Sequence, residues 1–223
     1  MSRATIVLAD DNAELRNVYR RAFALRSDLE LVGEAGDGVE ALHQIAAHRP
    51  TVALIDMRMP KMDGLGVLER MDMSTTSAIV FTAFNEARFV EPALRLGASG
   101  FLLKNCSPQE VLDGIDAVLE GNACLAPEVA RRVLDVIQSK PRLDASGPRA
   151  RPSIRDVSFS AREREVIELV GKGLSTGDIA AQLVVQPETV RTYLKRIYAK
   201  TGISNRTTLA VAAIEAGVYT PRV

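Results

Sequence analysis

The sequence predicts a doubly wound α/β domain on a five-stranded parallel sheet, followed by a small all-α domain. Five short apolar runs alternate with amphipathic stretches: Ile6 to Ala9, Leu29 to Glu34, Val52 to Ile55, Ala78 to Phe81 and Phe101 to Leu103. That alternation is the mark of parallel strands joined by crossover helices. Beyond them, the segment from Pro141 to Arg155 is rich in breakers and poor in large apolar residues. The rest of the chain has a helical period.

Helix starts are marked along the way. Asp37-Gly38-Val39-Glu40 and Ser107-Pro108-Gln109-Glu110 read as capping boxes, the second with proline at the first helical position, where a missing N–H costs nothing. Pro127 opens a further helix with Val129, Val133, Val136 and Ile137 on one face, ending near Lys140. The breaker-rich segment after it reads as a mobile linker, with its arginines either solvated or touching a partner's backbone. Ser160 to Glu163 is a third capping box, followed by the apolar face Val166, Ile167, Leu169 and Val170. Ser175 to Leu183 forms a second short helix, and Pro187 begins a third. The expected division is 1–125 for the α/β domain, 126–157 for linker helix and linker, and 158–223 for the helical domain.

Composition narrows the function classes. At 223 residues, 47% hydrophobic and 25% charged, the chain fits two small globular domains. Its apolar runs are too short to span a bilayer and the N-terminus lacks a signal-peptide pattern, so the expected location is the cytoplasm. Cys106 and Cys124 are too few for a disulfide framework or zinc site, and His43 and His48 read as solvated helix surface. The zero net charge conceals an asymmetry: residues 1–125 carry 12 Lys+Arg against 18 Asp+Glu, and residues 126–223 carry 16 against 10. A basic second half points to a polyanion, nucleic acid first.

Chemistry concentrates at strand ends. Asp10 and Asp11 follow the first strand, Asp56 closes the third, Thr82 the fourth, and Lys104 the fifth. In an open parallel sheet those ends form the ligand-binding rim. Two like charges ~4 Å apart repel by roughly 4 kcal/mol at an effective dielectric near 20, so three converging carboxylates call for a cation. Mg²⁺ suits carboxylates, waters and phosphate oxygens.

Here the chain resembles the receiver domain of two-component response regulators, from about Ile6 to Glu120. The residues that carry the resemblance are Asp10-Asp11, Asp56 with Met59-Pro60 and Asp63-Gly64, Thr82-Ala83, Gly97-Ala98, Gly100-Phe101, and Lys104. It implies a flavodoxin-like fold and a phosphoacceptor, Asp56, taking its phosphoryl group from a sensor histidine kinase. It further implies Mg²⁺ on Asp11, Asp56 and the backbone carbonyl of Arg58, with Asp10 orienting a water. Thr82 and Lys104 would contact the phosphoryl group, and Phe101 would turn inward as Thr82 moves. Arg58 and Phe84, each two residues beyond Asp56 and Thr82, would slow self-dephosphorylation by obstructing water.

The stretch Ser175 to Gly202 has helix-turn-helix character, with Val184-Val185-Gln186 as the turn. On the last helix Val190, Leu194 and Ile197 should pack inward, leaving Arg191, Thr192 and Lys195 outward as base readers. Arg196, Lys200 and Arg206 are expected on phosphate. Phe159 to Gly217 resembles the DNA-binding domain of LuxR/NarL-type regulators, through Arg162-Glu163-Arg164-Glu165-Val166, Gly173-Leu174-Ser175, Asp178-Ile179-Ala180, Thr189-Val190-Arg191-Thr192, Lys200 and Gly202. Three positions depart from the family pattern: Gln186 where serine is usual, Tyr193 where histidine is frequent, and Thr176-Gly177. The final helix, Thr207 to Ala216, either pairs two DNA-binding domains, as the resemblance implies, or closes the small core. Together the resemblances imply a non-enzymatic, phosphorylation-controlled transcription regulator that dimerises on double-stranded DNA.

Three other readings fit less of the sequence. A flavin binder would present N–H groups and hydroxyls in its first loop, where this chain has Asp10-Asp11-Asn12. A LuxR-type small-molecule sensor would enclose an aromatic-rich pocket, against 4% aromatics and no Trp here. A receiver that works without phosphorylation would have no need of the complete acceptor set.

Overall fold

The computed structural model describes residues 3–83, 87–125, 154, 157–203 and 205–218. Phe84, the expected helix from Pro127 to Lys140 and nearly all of the linker lie outside the described residues.

The first domain is a parallel sheet ordered β2-β1-β3-β4-β5-β6. Its strands are β1 (Ala4–Ala9), β2 (Leu29–Ala35), β3 (Val52–Asp56), β4 (Ser77–Thr82), β5 (Gly100–Leu103) and β6 (Cys124–Leu125). The five expected strands are all present, and the two-residue β6 extends them at the β5 edge. The helices are α1 (Ala13–Ala24), α2 (Gly38–His48), α3 (Gly64–Arg70), α4 (Val90–Leu96) and α5 (Pro108–Leu119), with a 3₁₀ turn at Ala87–Phe89 before α4.

Side-chain alternation along the strands builds two cores, one on each face of the sheet. Val7, Ala53, Ile55, Val80 and Phe101 face α2, α3 and α4, meeting Ile45, Val67, Leu68, Val90 and Leu94. Ile6, Leu8, Leu54, Ile79 and Phe81 face α1 and α5, meeting Tyr19, Phe23, Val111 and Ile115. Every residue of β3 is buried, which is why that run shows no polar alternation. The Ser107–Glu110 capping box forms as expected. At α2 the reciprocal contact slips by one residue: Asp37 caps Val39 and Glu40, while Glu40 accepts from the N–H of Gly36.

The second domain packs α6 (Ala161–Gly171), α7 (Thr176–Leu183), α8 (Pro187–Thr201) and α9 (Arg206–Glu215). Val166, Ile167, Ile179, Val190, Leu194, Ile197 and Leu209 form its core. Ile154, expected in the linker, is buried in this core, so the helical domain begins to pack before residue 158. Capping boxes form at Ser160–Glu163 and at Ser175–Asp178. Gln186 makes no side-chain cap, and Pro187 opens α8 beside it with its backbone already set for a helix.

The two domains touch through α9 and the start of α7. Thr207 Oγ1 donates to the carbonyl of Ser99 at 2.9 Å, and the Asn205 amide donates to the carbonyl of Gly97. The backbone N–H and hydroxyl of Thr176 both donate to Asn122 Oδ1 at 3.1 Å. Val211 of α9 packs against the first domain's cluster that contains Phe101. Helix α9 therefore does two jobs: Leu209, Ala212 and Ala213 close the helical core, and Thr207 and Val211 meet the first domain.

Candidate functional site

Sheet register assembles the first site. Ala9 pairs with Ile55, Asp56 with Phe81, and Thr82 with Leu103, so Asp10, Asp56, Thr82 and Lys104 fall on one rim. The backbone N–H of Lys104 donates to the Thr82 carbonyl at 2.9 Å, fixing the β4 and β5 ends together. Asp10, Asp56 and Thr82 are buried and Asp11 is exposed. Lys104 Nζ lies 2.8 Å from Asp10 Oδ2 and 2.7 Å from Asp56 Oδ2.

This pocket carries more negative charge than one ammonium balances. Asp10, Asp11 and Asp56 each offer an oxygen within 4.8 Å of the others. The buried Asp10 Oδ2 and Asp56 Oδ2 have no aligned hydrogen bond, so Lys104 is an ionic contact and coordination capacity remains. Burial pushes the Asp56 carboxyl above its usual range, against the opposing pull of Lys104 and of the Arg58 backbone N–H. Burial is also the largest influence on Lys104 and draws it down, but the two carboxylates together outweigh it and raise the ammonium overall. Hard oxygen donors, spare lone pairs and excess negative charge fit Mg²⁺.

Local sequence shapes the approach to Asp56. A Cβ at Gly64 would lie 2.4 Å from the Asp56 carbonyl oxygen and 2.3 Å from Met57 Cε, so the turn into α3 accepts only glycine there. Asp63 caps α3 by accepting from the N–H of Gly66 at 2.8 Å. The Arg58 side chain is exposed at this rim.

Sequence reading missed Arg16, whose Nη1 donates to the Asp10 carbonyl at 2.5 Å while Nε lies 3.8 Å from Glu34 Oε1. Its only signal was one more arginine on an arginine-rich helix. Lys61 was missed as well; at φ 61° it pairs with Asp37 Oδ2 at 2.6 Å and ties the loop after Asp56 to α2. Phe101 differs from the expectation in another way. It is already fully buried, in the cluster on which Val211 packs, so its ring has no outward position to leave in this structure.

The second site is the outer face of α8. Val190, Leu194 and Ile197 point into the core, as their spacing requires. Thr192, Lys195 and Arg196 are exposed and Arg191 is half-exposed. Thr192 Oγ1 donates to the Glu188 carbonyl at 2.9 Å, leaving its methyl as the group free for contact. Lys200 is partly engaged: its Nζ lies 2.7 Å from Glu163 Oε2. Arg206 is a correction. It is 5% exposed and its guanidinium donates to the Leu174 carbonyl and to Thr176 Oγ1. From the first position of α9 it reaches back to the turn between α6 and α7, where these two acceptors hold it inward.

Comparison with known proteins matches each of the two domains. Residues 6–116 match the response regulator receiver domain, and residues 157–213 match the bacterial regulatory proteins of the luxR family. The chain is 38% identical over 216 residues to the probable transcriptional regulatory protein NarL of Mycobacterium tuberculosis, covering 96% of this chain and 94% of that protein. It is 32% identical over 206 residues to the transcriptional regulatory protein UhpA of Escherichia coli, covering 92% and 95% respectively. Among solved structures, the response regulator ChrA of a heme-sensing two-component system aligns with TM-score 0.51 and 30% identity, over 98% of this chain and all of that one. The receiver domain of the Mycobacterium tuberculosis NarL aligns with TM-score 0.51 and 35% identity, over 55% of this chain. With a receiver joined to a LuxR-type helix-turn-helix, the chain belongs to the DNA-binding transcription regulators of two-component systems, not to an enzyme family.

Proposed function

We propose that Asp56 accepts a phosphoryl group from the phosphohistidine of a sensor histidine kinase, and that the resulting acyl phosphate controls pairing of the protein on double-stranded DNA. The observation that carries this is the Lys104 ammonium held against both Asp10 and Asp56 at a rim that also bears Asp11 and Thr82. In the transfer an Asp56 carboxylate oxygen bonds to phosphorus as the P–N bond breaks, and the electron pair returns to the histidine ring. Such transfer depends on positioning and charge neutralisation more than on acid–base chemistry.

Asp11, Asp56 and the Arg58 carbonyl would hold Mg²⁺, with Asp10 on a bound water; when present, the cation would neutralise phosphoryl oxygens. Lys104 pairs with one of those oxygens, exchanging its carboxylate contact for a doubly charged group. Thr82 turns its hydroxyl toward another. Each contact shifts the equilibrium only by its preference for the active arrangement.

The readout runs through the contacts at α9. The loop Gly97–Ser99 connects α4 to β5, between Thr82 and Lys104 in chain order, and it carries the carbonyls that hold Asn205 and Thr207. Movement of Thr82 and Lys104 toward the phosphoryl group displaces this loop, frees α9, and lets two helical domains meet as a homodimer. Arg191, Thr192 and Lys195 then read bases on each half-site, while Arg196 contacts phosphate and Lys200 stays at its edge. We assign residues 1–125 to reception, 126–157 to the connection, whose Ile154 already packs on the helical core, and 158–223 to DNA reading. The protein acts in the cytoplasm; among the described residues no helix is long and apolar enough to cross a membrane.

The test is chemical trapping of the acyl phosphate after incubation with a small phosphodonor and Mg²⁺. Borohydride reduction and peptide mapping should place the modification at Asp56 and find none in Asp56→Asn. Modification at another carboxylate in wild type would overturn the assignment.

A further inference from the structure

We propose that Glu188 is a specificity-determining residue of the DNA reader: it selects, beside the base met by Arg191, a base that presents an amino group in the major groove. The inference rests on Arg191 being a base reader. Glu188 stands in the first turn of α8, and its Oε1 accepts from Arg191 Nη1 one turn later. Its side chain is 77% exposed, against 41% for Arg191. Positions 188, 191, 192 and 195 follow the i, i+3, i+4, i+7 rule of one helix face, and Val190, Leu194 and Ile197 occupy the buried one. The face that carries the cations thus also carries one carboxylate, at the end of the helix that leads into the groove.

Two ordinary roles exist for such a residue. An acid in the first turn offsets the helix dipole, and an exposed i, i+3 pair adds slightly to helix stability. Neither role depends on which base lies opposite. A carboxylate brought into the major groove does depend on it. Cytosine N4 and adenine N6 donate hydrogen there, whereas guanine O6 and thymine O4 are acceptors that a carboxylate repels. Glu188 Oε1 takes one N–H of the guanidinium, which leaves its other N–H groups for guanine O6 and N7 and leaves Glu188 Oε2 to accept from an amino group. The pair therefore presents donors and an acceptor side by side, a pattern that fits guanine next to cytosine or adenine. The geometry also gives the carboxylate a cost on every other sequence, since it enters a groove lined with phosphates and finds no donor.

The experiment is selection of randomised duplexes by the full chain, activated with a small phosphodonor and Mg²⁺, for wild type, Glu188→Gln, Glu188→Lys and Arg191→Met. Circular dichroism of each variant confirms helix content. Wild type should show one position with cytosine or adenine favoured over guanine or thymine by about tenfold. Glu188→Gln should flatten that position, since an amide both donates and accepts, and Glu188→Lys should reverse it toward guanine or thymine, with other positions unchanged. If both variants keep the wild-type preference and merely bind every duplex more tightly, Glu188 acts only through charge and the proposal is wrong. Failure of the underlying reading looks different: Arg191→Met would then select the same sequences as wild type.

Discussion

Replacing Thr207 with valine removes a single hydroxyl from the contact between the two domains while keeping shape and branching. Thr207 is 2% exposed and Ser99 is 6% exposed, so the Ser99 carbonyl that accepts from Thr207 at 2.9 Å would lose its partner in a dry setting. A hydrogen bond contributes about 0.5–1.5 kcal/mol net, and stranding a buried acceptor costs about 1–3 kcal/mol. In the separated arrangement water serves both groups, so the loss falls on the docked form alone. A shift of about 1.4 kcal/mol moves the docking equilibrium tenfold. Unphosphorylated Thr207→Val should therefore bind operator-containing DNA and self-associate about tenfold more readily than wild type, with little difference once both are phosphorylated. Sedimentation velocity and fluorescence anisotropy, at one salt concentration, measure the two effects. If unphosphorylated Thr207→Val matches wild type in both, with unchanged scattering dimensions, the contact through α9 does not restrain the protein.

Other outcomes follow from the same geometry. Gly64→Ala must push a Cβ into the Asp56 carbonyl and Met57, so urea unfolding of the receiver should show a loss of about 1–3 kcal/mol. Arg196→Ala should weaken binding to all duplexes alike and lower the slope of log affinity against log salt by about 1, whereas Arg191→Ala should also relax sequence preference. The Lys200 ammonium, followed by the Ser160 backbone N–H, holds the Glu163 carboxyl below its ordinary range. Because the folded value is depressed, this stabilisation is present above the unfolded value, about 4.3, and is lost as pH falls through the folded one. Thermal melts of Glu163→Gln should show a shallower acid limb than wild type, and an identical limb would contradict the pairing.

What could be read from sequence is what depends on neighbours in the chain. Asp10, Asp56, Thr82 and Lys104 each end an apolar run, and the parallel register then forces them onto one rim. Ser107–Glu110 and Ser160–Glu163 cap helices through contacts three residues apart, and Val190, Leu194 and Ile197 declare a buried face by spacing alone. Arg206 escaped because nothing local distinguishes an arginine that reaches back to the Leu174 carbonyl from one that reaches DNA. The two-residue β6 has too little sequence to show a period, and it exists because Gly100 and Phe101 leave an edge for Cys124 and Leu125 to pair with. Phe101 ends up fully buried because of residues on α4 and α9, which lie elsewhere in the chain. The contact of Thr176 with Asn122, 54 residues away, has no sequence signature at all.

The coupling between Asp56 and DNA reading is tested most directly by titrating one DNA duplex, while following assembly by sedimentation, for wild type and Asp56→Asn with and without phosphodonor and Mg²⁺. Donor should drive wild type to a dimer with higher DNA affinity and leave Asp56→Asn as it was. Equal response of the two proteins, or no response by wild type, would contradict control through that carboxylate.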